Sequence, residues 1–316
     1  MNLSDSLLAQ QIKSQGKSVE VQSQPGSHVK NTSEDSSRST RPSTSTIGEA
    51  CQTMALKIDE SEKTELRVAE FYDGLAPDYD LMTGFDKRFV QERPFFRVLV
   101  EKYKIRTALD AGCGTGLHSL LLARLGVDVT GVDISEAMIK KVDEHAKQLQ
   151  LKVKVFKESF QNLSSTMKER YDLVLSMGNS LAHILSEKEM EDVLRGFRHL
   201  LKSKGLLYLQ ILNYEKILHI RERIQSTKET SDKTFVRSYD YGENALSFNV
   251  LTRTKSDGAS KESVRTVRLH PWVRPRLLDL LKKAGFESIA VYGGITLQAF
   301  DAKTSQDLVV LATSRE

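Results

Sequence analysis

The segment Thr107-Ala108-Leu109-Asp110-Ala111-Gly112-Cys113-Gly114-Thr115-Gly116 decides the fold of this 316-residue chain. A short apolar strand runs into three closely spaced glycines, and Leu117–Arg124 continues as an apolar helix. Glycine at a strand-to-helix turn lets the backbone approach a ligand closely, because no Cβ stands in the way. The next apolar run, 127–132, is closed by Asp133. That acid lies 133 − 112 = 21 positions after the first glycine. The spacing is close to the ~20 expected for a carboxylate that grips a ribose hydroxyl pair.

The glycine spacing then separates two kinds of ligand. A dinucleotide turn reads G-x-G-x-x-G, with its third glycine five positions after the first. Here that place holds Leu117, and the third glycine comes one residue early, at Gly116. The loop is shaped for a nucleoside without a phosphate. Asp110 to Gly116 resembles motif I of the class I S-adenosylmethionine-dependent methyltransferases, (D/E)-x-G-x-G-x-G with a G-C-G-T-G variant. The resemblance implies a Rossmann-like α/β fold, mostly a parallel seven-stranded sheet, with S-adenosylmethionine as donor and S-adenosylhomocysteine as product. It places Asp110, Gly112, Gly114 and Gly116 at the donor, the glycines leaving room for its amino-acid end. Asp133 would hold the ribose, or else cap a helix over 136–149. Ile134 and Met138 would pack on the adenine, or else belong to the core.

Composition fits this reading. The formal charge is +4, and the length suits one large α/β domain plus a tail. Cys51 and Cys113 are far apart, so no disulfide framework is expected, and a reducing, cytoplasmic setting fits. No apolar run approaches the ~18–20 residues of a membrane helix, and no secretory signal opens the chain. Residues 1–60 are rich in Ser, Thr, Gln, Lys and Glu and lack aromatic residues. Such a segment cannot bury enough apolar surface to offset its ordering entropy, so a disordered tail is expected, with at most a short helix around Leu7-Leu8 and Ile12. Glu20, Glu34, Asp35 and Glu49 argue against a transit peptide. The composition change also makes Met54 an alternative start.

From residue 62 a helix leads into Phe71-Tyr72-Asp73-Gly74-Leu75-Ala76-Pro77-Asp78-Tyr79-Asp80, and 89–103 has helical apolar spacing. Helices are expected at 116–125, 136–149 and 187–202, and strands at 127–132, 152–156, 171–176 and 205–212. Alternation of this kind means a mostly parallel sheet covered on both faces. Residues 213–270 break the rhythm. A helix at 214–225 precedes β-rich segments near 233–240, 245–254 and 262–270, read as an antiparallel lid insertion in the domain spanning 61–316. A helix at 275–284 ends at Gly285, and strands near 287–292 and 307–313 pair at one sheet edge.

A narrower resemblance lies at Met177-Gly178-Asn179-Ser180-Leu181-Ala182-His183 and at Asn213-Tyr214. Both segments look like the glycine/sarcosine N-methyltransferase group and related bacterial small-molecule methyltransferases. The resemblance implies that Met177 and Asn179 lie beside donor and acceptor. It makes Tyr72 and Tyr79 residues of the donor cleft, and has Tyr214 open the lid beside the substrate. Two departures stand out. Leu212 occupies the place of an arginine that holds the substrate carboxylate in the glycine-specific enzymes. Ser159 stands where an acid often contacts adenine, leaving Ser159, Phe160 or a backbone group for that contact.

Methyl transfer from a sulfonium is an in-line displacement that needs alignment and exclusion of water more than a strong base. His183 is the candidate general base, since a histidine titrates near neutral pH; the alternative is a histidine that caps the turn. His118 would line the donor pocket and His270 could face the acceptor. The lid and its flanks carry Arg221, Arg223, Arg237, Arg253, Arg265, Arg268, Arg274 and Arg276. Arg221 and Arg237 are the candidates for gripping an anionic acceptor; a solvated face explains most of the others. No H-E-x-x-H and no paired-cysteine spacing occurs, so no metal site is expected. No aromatic platforms, (N/D)-P-P-(F/Y) or Pro-Cys accompany the charge, so nucleic acid is not the expected partner. The sequence therefore points to methyl transfer to a small polar, anionic acceptor, at nitrogen. Glycine or sarcosine itself is the nearest alternative. A nicotinamide-dependent oxidoreductase and a non-catalytic nucleoside-binding protein are the competing classes. The early third glycine and the G-N-S-x-x-H segment speak against the oxidoreductase.

Overall fold

Strands β1 (Thr107–Ala111), β2 (Asp128–Asp133) and β4 (Tyr171–Ser176) are almost wholly buried along their length. Strands hidden on both faces must be covered by helices on both sides, as near-continuous apolar runs require. In the computed structural model, which describes residues 60–256 and 259–314, this is what happens. With β3 (Lys154–Lys157), β5 (Leu201–Leu212), β10 (Phe286–Tyr292) and β11 (Asp307–Ser314) they form a seven-stranded sheet ordered β10-β11-β5-β4-β1-β2-β3. The central pairings are parallel, and β11 runs antiparallel to both β5 and β10. The expected Rossmann-like sheet is thus present.

Helices α2 (Phe85–Tyr103) and α3 (Leu117–Arg124) cover one face, burying Phe95, Phe96, Leu99, Leu121 and Leu122. On the other face α6 (Glu187–Leu200) and α8 (Arg274–Lys283) bury Met190, Val193, Leu194, Phe197, Leu277 and Leu280. Ser186 caps α6 by accepting from the Glu189 N–H at 3.3 Å. Helix α4 (Glu136–Leu149) is capped by Ser135, which accepts from Met138 N at 3.1 Å. A short helix, α5 (Leu163–Thr166), precedes β4.

Helix α1 (Glu60–Thr83) contains the whole 71–80 segment, Pro77 included. It packs Val68, Phe71, Leu75 and Met82 against Phe235, Val250 and Val267 of a second sheet. Three of its carboxylates are tied down. Asp73 accepts from Ser135 Oγ at 2.5 Å and from Ala137 N at 3.1 Å. Asp80 lies 3.1 Å from His145 of α4, and Asp78 accepts from Lys233 at 2.5 Å.

That second sheet is antiparallel and has four strands: β6 (Ile224–Glu229), β7 (Lys233–Tyr241), β8 (Leu246–Ser256) and β9 (Ala259–Leu269). Here the structure corrects the expected helix at 214–225. Helix α7 runs only over Tyr214–Ile220 and closes at Arg221 in the left-handed region, φ 54°. Ile224 to Glu229 extend instead, because pairing with β7 satisfies their backbone and overrides helical spacing. Strand β5 also begins four residues earlier than expected, at Leu201. The expected tail, with Cys51 and the alternative start at Met54, lies outside the described residues; Cys113 is a free thiol. Among the described residues no helix is long and apolar enough to cross a membrane.

The chain leaving β9 is stitched back to the turn after β4. His270 N donates to Ala182 O at 2.7 Å, and the buried Trp272 donates its indole N–H to Ile184 O at 3.0 Å. Trp272→Ala removes both a fully buried aromatic and that bond. It is expected to lower stability by ~3–5 kcal/mol in denaturant titration; a loss below ~1 kcal/mol would show that the stitch carries little.

Candidate functional site

The glycine turn sits at the C-terminal edge of the parallel strands. Gly112 N and Cys113 N donate to Val132 O at 2.8 and 2.9 Å, locking the turn onto β2. Gly112 has φ +77°, and a Cβ there would fall 2.9 Å from Ser180 and 3.1 Å from Phe160. The space it leaves open belongs to the wall of a cavity. Gly116 serves differently: a Cβ there would meet Val142 at 2.8 Å, so this glycine lets α3 pack on α4 and does not line the cavity.

Asp133 ends β2 beside the turn. Its carboxylate accepts from Gly114 N at 2.8 Å and from Ser135 N at 2.9 Å. The cap of α4 is Ser135, not Asp133, which corrects the capping alternative. Burial pushes the Asp133 carboxyl up to about 6, against the backbone donors that favour its charge. A vicinal diol would add the donors that burial leaves this carboxylate short of.

A cavity of about 110 Å³ follows these strand ends. It brings together Gly112, Gly114, Asp133 and Ile134 with Ser159, Phe160 and Met177, and Tyr72, Tyr79 and His183 close it. Asp110 and Met138 lie elsewhere. The buried Asp110 accepts from Ser119 Oγ at 2.6 Å beneath the turn, and Met138 is fully enclosed. Met138 sits three residues after the cap, on the face of α4 that packs inward, so it belongs to the core.

A second cavity, about 680 Å³, adjoins the first and shares Tyr72, Tyr79, Gly178 and His183 with it. Asn179, in the left-handed region at φ 70°, lines it. Its amide is already engaged: Oδ1 accepts from Leu212 N at 3.0 Å and Nδ2 donates to Tyr214 Oη at 2.9 Å. Tyr214 is buried behind Asn179 and does not reach the cavity. Arg237 lines the wall, its Nε donating to Ser226 Oγ at 2.6 Å. Arg221 does not; its guanidinium lies over the Tyr241 ring, 4.9 Å away. His270 stacks on Trp272 at 4.0 Å and also faces away.

His183 Nε2 lies 2.8 Å from Tyr72 Oη, at the junction of the cavities. Burial pushes the imidazole down to about 4, with the Arg268 backbone opposing. Burial also holds the Tyr72 hydroxyl well above its ordinary range, so it keeps its proton. The ring is neutral at physiological pH.

Sequence reasoning missed one network. Glu92 accepts from Arg88 Nε at 2.7 Å and pairs with His118 Nε2 at 2.9 Å. Burial opposes the Glu92 charge, but these partners outweigh it and hold the carboxyl below its usual value. Asp307, raised by burial, accepts from Gln210 Nε2 at 2.8 Å, and Gln210 Oε1 accepts from Gly178 N at 2.6 Å. Glu92, Gln210 and Asp307 all line the larger cavity. A signal existed for Glu92: it shares a helical face with Phe96 and Leu99, where a carboxylate is out of place.

The fold and the cavity define an α/β protein whose candidate site lies at the C-terminal edge of a mostly parallel sheet. A methyltransferase-domain family model matches residues 108–205. The chain is 27% identical over 231 residues to a glycine/sarcosine N-methyltransferase of Aphanothece halophytica, covering 71% of this chain and 82% of that one. It is 26% identical over 246 residues to a protein of the same description from Halorhodospira halochloris, covering 76% and 87%. A solved S-adenosylmethionine-dependent methyltransferase from Clostridium acetobutylicum has the same fold, with TM-score 0.66 and 15% identity over 78% of this chain and 99% of that one. The chain is a class I S-adenosylmethionine-dependent methyltransferase, similar to the glycine/sarcosine N-methyltransferase group.

The open space at Gly112 and the desolvated Asp133 carboxylate fit that donor. Affinity for S-adenosylmethionine is expected to fall as pH drops through about 6, because Asp133 loses its charge there. Asp133→Asn should bind ~10–100-fold more weakly at pH 8 and lose that pH dependence. Calorimetric titration at several pH values reads both; unchanged affinity in the variant would refute the ribose role.

Proposed function

We propose that this enzyme methylates a nitrogen of a small, polar acceptor that carries an acidic group. The observation that carries the reading is the acceptor cavity's wall. Arg237 and Lys216 line it, and Tyr72, Gly178 and His183 join it to the donor cavity. The lining also holds Glu92, Glu222 and Asp307, Glu92 being paired with Arg88, and the Arg237 guanidinium suits a carboxylate or similar anion. The relatives' names support nitrogen as the accepting atom. Leu212 lines this cavity where the glycine-specific enzymes carry an arginine, so glycine itself loses its anchor and a longer acceptor that reaches Arg237 fits better. The four-stranded sheet supplies Arg237, Tyr239 and Phe248 to the cavity, which supports reading it as the lid.

When bound, S-adenosylmethionine supplies an electrophilic methyl group. Gly112, Gly114, Asp133, Ile134, Ser159, Phe160 and Met177 would hold it. The chain's own contribution is alignment and dryness, which can supply ~7–11 kcal/mol of such a barrier. Tyr72 keeps its proton and can donate a hydrogen bond across the junction. His183 Nε2, neutral, orients that hydroxyl. A histidine titrating near 4 is poorly matched to general-base work at neutral pH, so positioning Tyr72 is the role we assign it. Asn179 fixes the strand-end backbone that faces the acceptor.

A panel of amines, amino acids and acidic amines, read by S-adenosylhomocysteine release and by the methylated product, tests the reading. Activity confined to hydroxyl, thiol or carbon acceptors would overturn it. With the substrate found, Arg237→Leu should raise KM ~10–100-fold while leaving donor affinity unchanged. His183 is charged only below about pH 4, so His183→Ala should lower kcat without altering the shape of the rate profile between pH 5 and 8. Loss of a limb near pH 6.5 in the variant would instead make His183 the base.

A further inference from the structure

His145 lies on the inner face of α4, in helical step with the buried Met138 and Val142. An ionisable ring in that row is out of place unless something claims it. Its Nδ1 lies 3.0 Å from the Thr115 carbonyl oxygen of the glycine turn, and its Nε2 lies 3.1 Å from an Asp80 carboxylate oxygen of α1. The Phe85 ring, at the start of α2, packs against the imidazole with centroids 4.4 Å apart. One side chain therefore ties the turn, α1 and α4 together. It does so from behind the site: Tyr72, Tyr79, Phe85 and Thr115 line the donor cavity, and His145 does not.

Both ring nitrogens face oxygens that only accept. A carbonyl has no hydrogen to give, and neither has an ionised carboxylate. A neutral imidazole carries one N–H and satisfies one of the two; the imidazolium carries two and satisfies both. Asp80 depends on that cation, because its other oxygen, Oδ1, is buried without a hydrogen-bond partner among the described residues. The Asp80 contact lifts the His145 pKa above the ~6.5 of a free imidazole. Burial opposes the lift, the Thr115 carbonyl adds to it, and Lys141 of α4 works against it. Lys141 is itself paired with Glu144 at 2.7 Å.

We propose that doubly protonated His145 is a positioning residue for the donor, clamping the glycine turn to α1, so that donor affinity falls when the ring gives up its second proton. This rests on the donor occupying the smaller cavity, with Asp133 at its ribose. Loss of one N–H frees Thr115 or Asp80, and the two sides of the cavity are no longer held at a fixed spacing; the ligand must then order them itself. The sign is opposite to that of Asp133. The carboxylate must lose its proton to hold the donor, which happens through about 6. The imidazole, raised, must keep its own, and loses it as pH climbs past neutrality. Donor affinity is then bell-shaped in pH, and each limb belongs to a different residue.

Calorimetric titration of the full chain with S-adenosylhomocysteine between pH 6 and 9 tests this. The quantity read is each variant's affinity relative to wild type at the same pH, in which the titrations of the ligand and of Asp133 cancel. His145→Gln should bind ~5–10-fold more weakly than wild type at pH 6 and within ~2-fold of it at pH 9, where the wild-type ring has lost its second proton. Asp80→Asn offers an amide N–H to Nε2, so a neutral ring bridges both partners. It should hold its affinity to pH 9 and there bind more tightly than wild type. A His145→Gln deficit of the same size at both ends, as lost packing alone would give, would overturn the proposal. So would an Asp80→Asn profile that follows the wild type. Undiminished binding to Asp133→Asn would overturn the donor placement on which it stands.

Discussion

The Asp133 carboxylate joins the glycine turn to the start of α4. One oxygen receives the Gly114 N–H and the other the Ser135 N–H. Ser135 in turn caps α4 and holds Asp73 of α1. A chain of hydrogen bonds thus runs from the strand ends, through a half-desolvated charge, to the helix that roofs the site. Neutralising or removing that carboxylate disturbs turn, cap and roof together. Preorganisation of this kind lets a ligand bind without first paying to order the loop.

The candidate donor site was legible in the sequence because its parts are local. Gly112 to Gly116 and Asp133 span a single βαβ unit, and their spacing alone separates a nucleoside from a dinucleotide. The helix starts expected at 136 and 187 match the structure, where Ser135 and Ser186 cap them. The acceptor wall was harder to read, because Arg88, Glu92, Gln210 and Asp307 converge from segments over two hundred residues apart. Arg237 could be read by parity: it alternates with the buried Phe235 and Tyr239 on one face of β7. Arg221 could not, because the helix expected to carry it stops there and the backbone turns left-handed. Tyr214 faces the core and the half-buried His270 packs against Trp272, so neither lines the larger cavity.

Helix α1 has an unusual position. It is the only described element before the sheet, apart from α2, that touches both cavities, and it also forms a small core with the second sheet. Its carboxylates Asp73 and Asp80 reach α4, while Asp78 reaches β7. The parallel domain and the insertion therefore meet through a third partner, and the junction of the two cavities lies at the meeting point. Tyr72 and His183, one from α1 and one from the turn after β4, form that junction.

The segment that marks the family ends at residue 205, yet most of the larger cavity is built from residues before 93 and after 209. Inside the matched segment only Gly178, Asn179 and His183 reach it. Chemistry and choice are thus written in different parts of the chain. On the proposed reading, substitutions after residue 209 would retune what is methylated while the turn at Gly112–Gly116 and Asp133 stays fixed. Two enzymes of this lineage can share the central segment closely and still serve unrelated metabolites.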